Sequence, residues 1–581
     1  MPSTATQISL HDLTEDQPAP IPAAEAPLET KVRQAIDTLK ARMAEGYHFL
    51  VAVSFGKDSS VLANIALQAL REQVEDTGSA PTMVFCLGDT LVENPVVGAF
   101  ARAEADKLRA YLEGHQLPGR MDIVTPNLSD HYWVQLIAGR TVATLPDNGA
   151  KCSQMMKVNP ITSHKRAVMR ELGAERVITL VGKRRDESAA RARNMAERGE
   201  NAMDAIADNR GELVLSPLAD FTLNDVFSYI GQVRGGRTPA YSDFEDLVEV
   251  YRGANGGECM VTVHLTGRAA STGCGARHGC WCCLRVQRDA SMENMLAEHQ
   301  YAWMRPLNQL RNYIAAEHYN PSKRAWLSRT VQDDGSITIA PNAYSPAHCE
   351  DLLRFALTIQ VEEAEAAAEA GLDEPRFTLL TPADVIAIEL SWLRYGYHNT
   401  LAATAIVQEI ANGARYHLPE VDYHWPASAL PASRTTARFA DADYHHVGNG
   451  LRDVDAWAAG AVNESPARSD GTLYTNVPEG EVTAVDPEAA ELYFAFEAEH
   501  ALATYRNQYP AAAYHYFLRL GVFTTAKGGR AEIDRMLRYG NQVQRLGLAP
   551  ILHDPVAIVD TLKARFGNDT AAGGGFQDAL F

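Results

Sequence analysis

Val51-Ala-Val-Ser-Phe-Gly-Lys-Asp-Ser-Ser60 decides the fold. Residues 48–54 form a short apolar run of strand length, and residues 61–70 carry helical spacing. A strand that turns at a glycine into a helix presents successive backbone N–H groups, and the positive end of the helix, to an anion. Ser54, Ser59 and Ser60 add hydroxyl donors and Lys57 adds a cation, so the stretch reads as a pyrophosphate site. It has neither the closing Gly-Lys-Ser/Thr of a P-loop nor the Gly-x-Gly-x-x-Gly of dinucleotide folds. The bland alternative is a serine-rich turn that caps a helix.

Working outward, Val32, Ile36, Leu39 and Met43 predict an amphipathic helix over residues 30–46 that stops at Gly46. Apolar runs recur at 82–87, 121–125, 176–182 and 213–218, each separated from the next by a segment long enough for a helix. That alternation predicts an α/β fold, a doubly wound parallel sheet built from right-handed crossovers. Residues 251–286 are rich in Gly and Cys with little periodicity and read as an irregular, metal-organised insertion. Residues 346–372 and 377–413 read as helical, whereas 414–487 have weak periodicity. The expected organisation is a flexible tail at 1–28 and a nucleotide-binding domain at 29–240, then a cluster segment at 241–300 and a helical domain at 301–413. A C-terminal extension of unknown role, 414–581, belongs to a mainly helical C-terminal region.

At 581 residues the chain exceeds one ordinary core, and 46% hydrophobic with 22% charged residues is the balance of a globular protein. The first 28 residues have no basic and apolar pattern of a signal peptide, and no window reaches about 18 consecutive apolar residues. A soluble, cytoplasmic protein without membrane contact is expected. With 53 basic and 73 acidic side chains the net charge is −20, so any DNA contact must be a local basic patch or come through a partner.

Of eight cysteines, Cys259, Cys274, Cys280, Cys282 and Cys283 fall close together. Taking Cys259, Cys274, Cys280 and Cys283 gives C-x14-C-x5-C-x2-C, four soft thiolates for a [4Fe–4S] cluster, with Cys282 left over. A structural zinc also accepts four thiolates, but it usually shows two short knuckles and only one is present. Core packing is the simple reading for Cys86 and Cys349. The Tyr-His pairs at 397–398, 416–417, 423–424, 444–445 and 514–515 are irregularly spaced and do not suggest a metal site. In Gly182-Lys-Arg-Arg-Asp-Glu-Ser-Ala-Ala-Arg-Ala-Arg193, the cations Arg184 and Arg185 follow a strand, where open parallel sheets bind ligands; the alternative is a solvated surface loop.

The phosphate loop resembles the Ser-x-Gly-x-Asp-Ser signature of the PP-loop ATP pyrophosphatases, which split ATP into AMP and pyrophosphate. Phe85-Cys-Leu-Gly-Asp-Thr-Leu-Val-Glu93 is similar to the Asp-Thr element of sulfonucleotide reductases, and Cys152-Ser-Gln-Met-Met-Lys-Val-Asn-Pro160 to their Cys-x4-Lys-x2-Pro element. The resemblance implies that Ser54, Phe55, Gly56, Lys57, Asp58, Ser59 and Ser60 hold ATP and Mg²⁺, with Asp89, Thr90 and Lys157 beside the nucleotide. Lys57, Asp58, Cys152, Arg184 and Arg185 form the expected catalytic set.

Tyr251-Arg-Gly-Ala-Asn-Gly-Gly-Glu-Cys259 and Gly273-Cys-Gly-Ala-Arg-His-Gly-Cys-Trp-Cys-Cys283 resemble the cluster segment of the DndC family, with its relative SspD. These are PP-loop, iron–sulfur proteins of bacterial DNA phosphorothioation, and the similarity runs over residues 30 to 395. It implies ATP-dependent sulfur transfer onto the DNA backbone, with sulfur from a cysteine desulfurase carried on Cys152 or on the cluster, and other phosphorothioation proteins as partners. The competing expectations are a sulfonucleotide reductase, a tRNA-thiolating enzyme, and a DNA-targeting subunit that binds nucleotide only as a regulator.

Overall fold

The computed structural model describes residues 26–145, 151–254, 279–421, 430, 435–440, 483–526 and 529–567. Six strands form the first sheet: β1 His48–Val53, β2 Met83–Gly88, β3 Gly119–Val124, β4 Val177–Leu180, β5 Ile206–Ala207 and β6 Leu213–Leu215, in the order β3-β2-β1-β4-β6-β5. Every neighbouring pair is parallel except β5 with β6, which is antiparallel and closes one edge.

Side-chain alternation divides this sheet into two faces. Phe49, Val51, Phe85, Ile178 and Leu180 point to a core shared with the helices Leu28–Ala44, Lys57–Thr77, Pro95–Gly114 and Leu223–Arg234. Leu50, Val84, Cys86 and Val177 point the other way, against Val168 and Met169 of the helix Asn159–Leu172. The change of face follows from handedness. The chain steps outward from β1 to β3 and then returns to β4 on the far side of β1, and a right-handed crossover in the reverse direction must lie on the opposite face. The expected doubly wound sheet is therefore present, and its switch point lies between β1 and β4. Burial of β1, β2 and β4 on both faces explains why they read as continuous apolar runs.

A second core joins the helix Tyr132–Ile137 to the helices Ala290–Leu296, Arg305–Glu317, Pro346–Glu369, Pro382–Tyr395 and Ala402–Ala411. Trp133 and Trp281 meet edge to face at 5.0 Å within it. The expected helical stretch 301–413 is interrupted. β7 Arg324–Val331 and β8 Ser336–Tyr344 form an antiparallel hairpin, to which β9 Thr435–Arg438 adds a third strand. Asp334-Gly335 makes the turn with Gly335 at φ 80°, and the alternating Ile337 and Ile339 are buried beneath it.

The helix Pro382–Tyr395 has a Thr381/Asp384 capping box and Pro382 at its first turn, and it ends at Gly396 with φ 63°. Its flanks meet three cores. Val385, Ile388 and Trp392 enter the second; Ile386, Leu390 and Leu393 pack against Tyr493, Phe517 and Leu537; Tyr395 joins the core of the hairpin sheet. Residues from Thr483 to Phe566 thus pack on the helix Pro382–Tyr395 and on the hairpin sheet. The segment 301–413 and the extension after it share cores, and among the described residues the extension is mainly helical.

Candidate functional site

Strand β1 delivers the phosphate loop to the carboxyl edge of the sheet at the switch point, the position where open parallel sheets bind ligands. The turn is made by Phe55, whose φ of 52° is left-handed; its ring is fully buried and meets Tyr241 at 6.3 Å. An aromatic side chain in that region costs on the order of 1–3 kcal/mol, so the buried ring is what holds the strained turn. Gly56 then caps the helix Lys57–Thr77 without a side-chain cap of its own.

The serines differ in what they do. Ser59 Oγ accepts from Ser54 N–H at 3.2 Å, lies 3.2 Å from Ser54 Oγ, and donates to Gly56 O at 3.1 Å, so it braces the loop from inside. Ser60 is fully buried, and its side chain faces the core and not the loop mouth.

Asp58 joins two cations. Lys57 Nζ donates to Asp58 Oδ2 at 2.9 Å, and Arg184 Nε donates to Asp58 Oδ1 at 2.6 Å. Burial pulls the Lys57 ammonium down, but Asp58 and Tyr251 outweigh it and the net shift is upward. Arg184 is 2% exposed and also reaches Asp186 at 3.4 Å. Arg185 is ion-paired with Asp220 and donates to Glu200 O at 2.9 Å, and Arg191 is paired with Glu187. The loop after β4 therefore ties itself to the phosphate loop through Arg184, and in this structure neither Arg184 nor Arg185 lines the cavity.

That cavity holds about 360 Å³. It is lined by Ser54, Phe55 and Gly56 after β1, by Gly88, Asp89 and Glu93 at and beyond the end of the neighbouring strand β2, and by Lys157 and Tyr251. Asp89 directly follows β2, and its carboxylate accepts from Leu91 N–H at 2.9 Å and pairs with Arg102 at 3.0 Å. Lys157 pairs with Glu93 at 3.2 Å. Burial lowers its pKa, yet Glu93 and then Cys280 raise it further, so it stays charged. Thr90 is fully buried and does not open on the cavity: its Oγ1 reaches Glu93 at 3.1 Å and Cys280 Sγ at 3.9 Å.

The cysteine segment is stitched to this wall. Glu93 and Cys280 form an antiparallel bridge, Trp281 N–H donates to Val92 O at 3.0 Å, and Cys283 N–H donates to Cys280 O at 3.0 Å. The last bond closes the Cys-x2-Cys turn. Burial, then Glu93, pushes the Cys280 thiol up to about 12. Cys282 belongs to the second core beside Trp281, and burial raises its thiol well above the ordinary range. Cys152 is half-buried against that same core and does not line the cavity. Cys259 and Cys274 lie outside the described residues. Among the described residues no group of three or more His, Cys, Asp or Glu side chains is arranged for a metal ion.

Cys86 and Cys349 are buried in cores. His398 stacks on Trp392 at 3.8 Å and bonds to Glu350 at 3.2 Å, which explains one Tyr-His pair as core structure.

Sequence reasoning missed Tyr251 and Glu93 as site residues. Tyr251 Oη accepts from Lys57 N–H at 3.4 Å, at the start of the helix Lys57–Thr77, and in sequence the helix Glu245–Ala254 that carries it is followed by the cysteine segment. Its place at the head of the Tyr251–Cys259 motif was the available signal.

Among the described residues no helix is long and apolar enough to cross a membrane. A search of curated proteins finds no match to the chain. The family model for the phosphoadenosine phosphosulfate reductase domain matches residues 48–234, from the first residue of β1 to the end of the helix Leu223–Arg234. The phosphate loop, Asp89, Lys157 and Arg184 thus lie within a phosphoadenosine phosphosulfate reductase domain of the PP-loop superfamily, a family of nucleotide-dependent enzymes of sulfur chemistry.

Proposed function

We propose that the protein transfers sulfur onto the DNA backbone at the expense of ATP, using the phosphate loop to activate a backbone phosphate. One juxtaposition supports this reading: the cavity walled by Ser54–Gly56 is bounded by Glu93 and Lys157, and Glu93 is bridged to Cys280. A nucleotide's phosphates and a sulfur-bearing segment would then meet across one wall. In the reaction a non-bridging DNA oxygen attacks the α-phosphorus, the α–β bridging bond breaks, and pyrophosphate leaves. A hydrosulfide sulfur then attacks the DNA phosphorus and AMP leaves; a persulfide would need a second thiol to cleave its S–S bond.

The residues' parts in this are positioning and charge. Backbone N–H groups of the loop and Lys57 hold pyrophosphate, Asp58 orients Lys57, and Lys157 faces the α-phosphate side. Mg²⁺ would supply further charge neutralisation on the departing pyrophosphate. Cys280 and Cys283, on one tight turn, fit half of a four-thiolate set that Cys259 and Cys274 would complete, and a [4Fe–4S] cluster there would supply a sulfur or electron relay. A cysteine desulfurase as sulfur donor and other phosphorothioation proteins are the partners this reading requires.

The family match at 48–234 favours one alternative, reduction of a sulfonucleotide. The test is to incubate the full chain with ATP, Mg²⁺, duplex DNA, cysteine and a desulfurase. AMP and pyrophosphate should form, and nuclease digests should yield phosphorothioate dinucleotides by mass spectrometry. Sulfite and AMP released from adenylyl sulfate when it is supplied with a dithiol reductant in place of ATP and DNA, with no AMP formed from ATP, would replace this reading with the alternative.

A further inference from the structure

A second cavity, of about 850 Å³, shares no lining residue with the phosphate-loop cavity. It opens between the segment after the helix Pro382–Tyr395 and the turn that leads into the helix Pro510–Leu520. Its volume lies within the range of about 300–1,000 Å³ usual for small-molecule sites.

Its chemistry departs from that of the chain as a whole. Acidic side chains outnumber basic ones 73 to 53, yet no Asp or Glu lines this cavity, whereas Arg506 and Arg519 both do. Both guanidiniums are exposed, and neither is ion-paired among the described residues. Two cations facing a cavity without a carboxylate lack a counter-charge, and a ligand anion would supply one. The helix Pro510–Leu520 has no side-chain cap, and its first turn, through Ala512, faces the same space, which adds positive potential.

The remaining walls are aromatic and amide. Tyr505 and Tyr516 lie 4.7 Å apart at 31°, with Tyr516 Oη donating to Glu497 at 2.7 Å behind the wall. Tyr509 lines the cavity and is 56% exposed, so much of its ring is left to solvent. Asn507 and Gln508 add hydrogen-bonding groups. Hydrogen bonds tie the walls: Thr400 Oγ1 donates to Gln508 O at 2.7 Å, and Gln544 Nε2 donates to Gly396 O at 2.5 Å. Cations for a phosphate, an exposed aromatic ring for a flat base, and amides for its edges together match one ligand class.

We propose that this cavity binds a nucleotide unit, its phosphate drawn to Arg506 and Arg519 and its base stacked on Tyr509. The site is separate from the phosphate loop and does not depend on what that loop catalyses. The unit comes either from a free nucleotide or from an unpaired strand.

The test is titration of the full chain with fluorescently labelled decathymidylate and, separately, with AMP. The proteins are wild type, Arg506→Ala/Arg519→Ala, Tyr509→Ala and Lys57→Ala. Binding should weaken at least ten-fold in the double variant and several-fold in Tyr509→Ala, and it should persist in Lys57→Ala. All three substituted positions in the cavity are exposed, so the variants should keep the wild-type circular dichroism. A response confined to the oligonucleotide assigns a strand; a response to AMP that is lost in Arg506→Ala/Arg519→Ala and kept in Lys57→Ala assigns a free nucleotide. No binding of either probe, or affinities that fall only in Lys57→Ala, would overturn the proposal while leaving the phosphate-loop reading intact. Amide exchange over residues 505–512 supplies an independent check: it should slow when the effective probe is added, and an unchanged rate counts against the site.

Discussion

Replacing Arg184 by methionine tests whether the loop after β4 holds the phosphate loop in place. The guanidinium is 2% exposed and donates to Asp58 at 2.6 Å, while the other oxygen of that carboxylate holds Lys57 at 2.9 Å. Breaking a fully buried pair costs roughly 3–5 kcal/mol, and breaking an exposed one about 0.2–1 kcal/mol. The Asp58 side chain is 19% exposed and keeps Lys57, so the expected loss lies between these limits, on the order of 2 kcal/mol. Asp58→Asn should lose slightly more, because it strands a buried guanidinium whose only other carboxylate contact described is Asp186 at 3.4 Å. In the double variant the two losses should fall short of additivity by about 1–2 kcal/mol. Urea unfolding at pH 7, followed by tryptophan fluorescence for the four proteins of the cycle, measures this coupling. A coupling below about 0.5 kcal/mol would show a solvated surface pair and refute the bracing role.

Four other outcomes are expected. Gly396→Ala, at φ 63° with Gly540 O only 2.5 Å from the new methyl, should lower stability by at least about 3 kcal/mol; a loss under 1 kcal/mol in denaturant melts contradicts that close approach. Burial raises the Glu389 carboxyl to about 7 despite donation from Thr404, so its stabilising contribution is complete below about pH 4 and is lost as pH rises to about 7. Glu389→Gln should therefore gain on wild type by on the order of 3 kcal/mol between pH 4 and pH 8, and parallel urea midpoints across that range would refute the assignment. Tyr251→Phe removes the hydroxyl that competes for Lys57 N–H and should tighten pyrophosphate binding about five-fold by calorimetry; weaker binding would mean that the hydroxyl contacts the anion itself. Cys280→Ser should abolish visible absorption and about four irons per chain in anaerobically purified protein, whereas stoichiometric zinc in wild type would remove the cluster from the reading.

The first sheet was legible because buried parallel strands leave short apolar runs: those at 48–54, 176–182 and 213–218 each contain a strand, and those at 82–87 and 121–125 each overlap one, β2 running one residue further and β3 starting two residues earlier. The antiparallel edge strand Ile206–Ala207 was not, since two residues carry no period. The hairpin after residue 323 did have a signal, Asp334-Gly335 followed by Ser-Ile-Thr-Ile, but it lay between strongly helical stretches. At the site, spacing marked the loop and the cations. It could not say that Arg184 would be turned inward to Asp58, that Thr90 would face a cysteine, or that Tyr251 would reach the loop. Those are pairings across more than a hundred residues, set by how helices pack and not by local pattern.

The sharing of the helix Pro382–Tyr395 among three cores has a consequence for synthesis. Ile386, Leu390 and Leu393 are covered by side chains as far along the chain as Leu537. At about 5–20 residues per second, a ribosome that has made Tyr395 needs roughly ten to thirty seconds to reach Phe566. Throughout that interval one flank of the helix is a greasy stripe without its cover, while the phosphate-binding sheet upstream already has its own. Nascent chains should therefore engage a chaperone late in translation and not early.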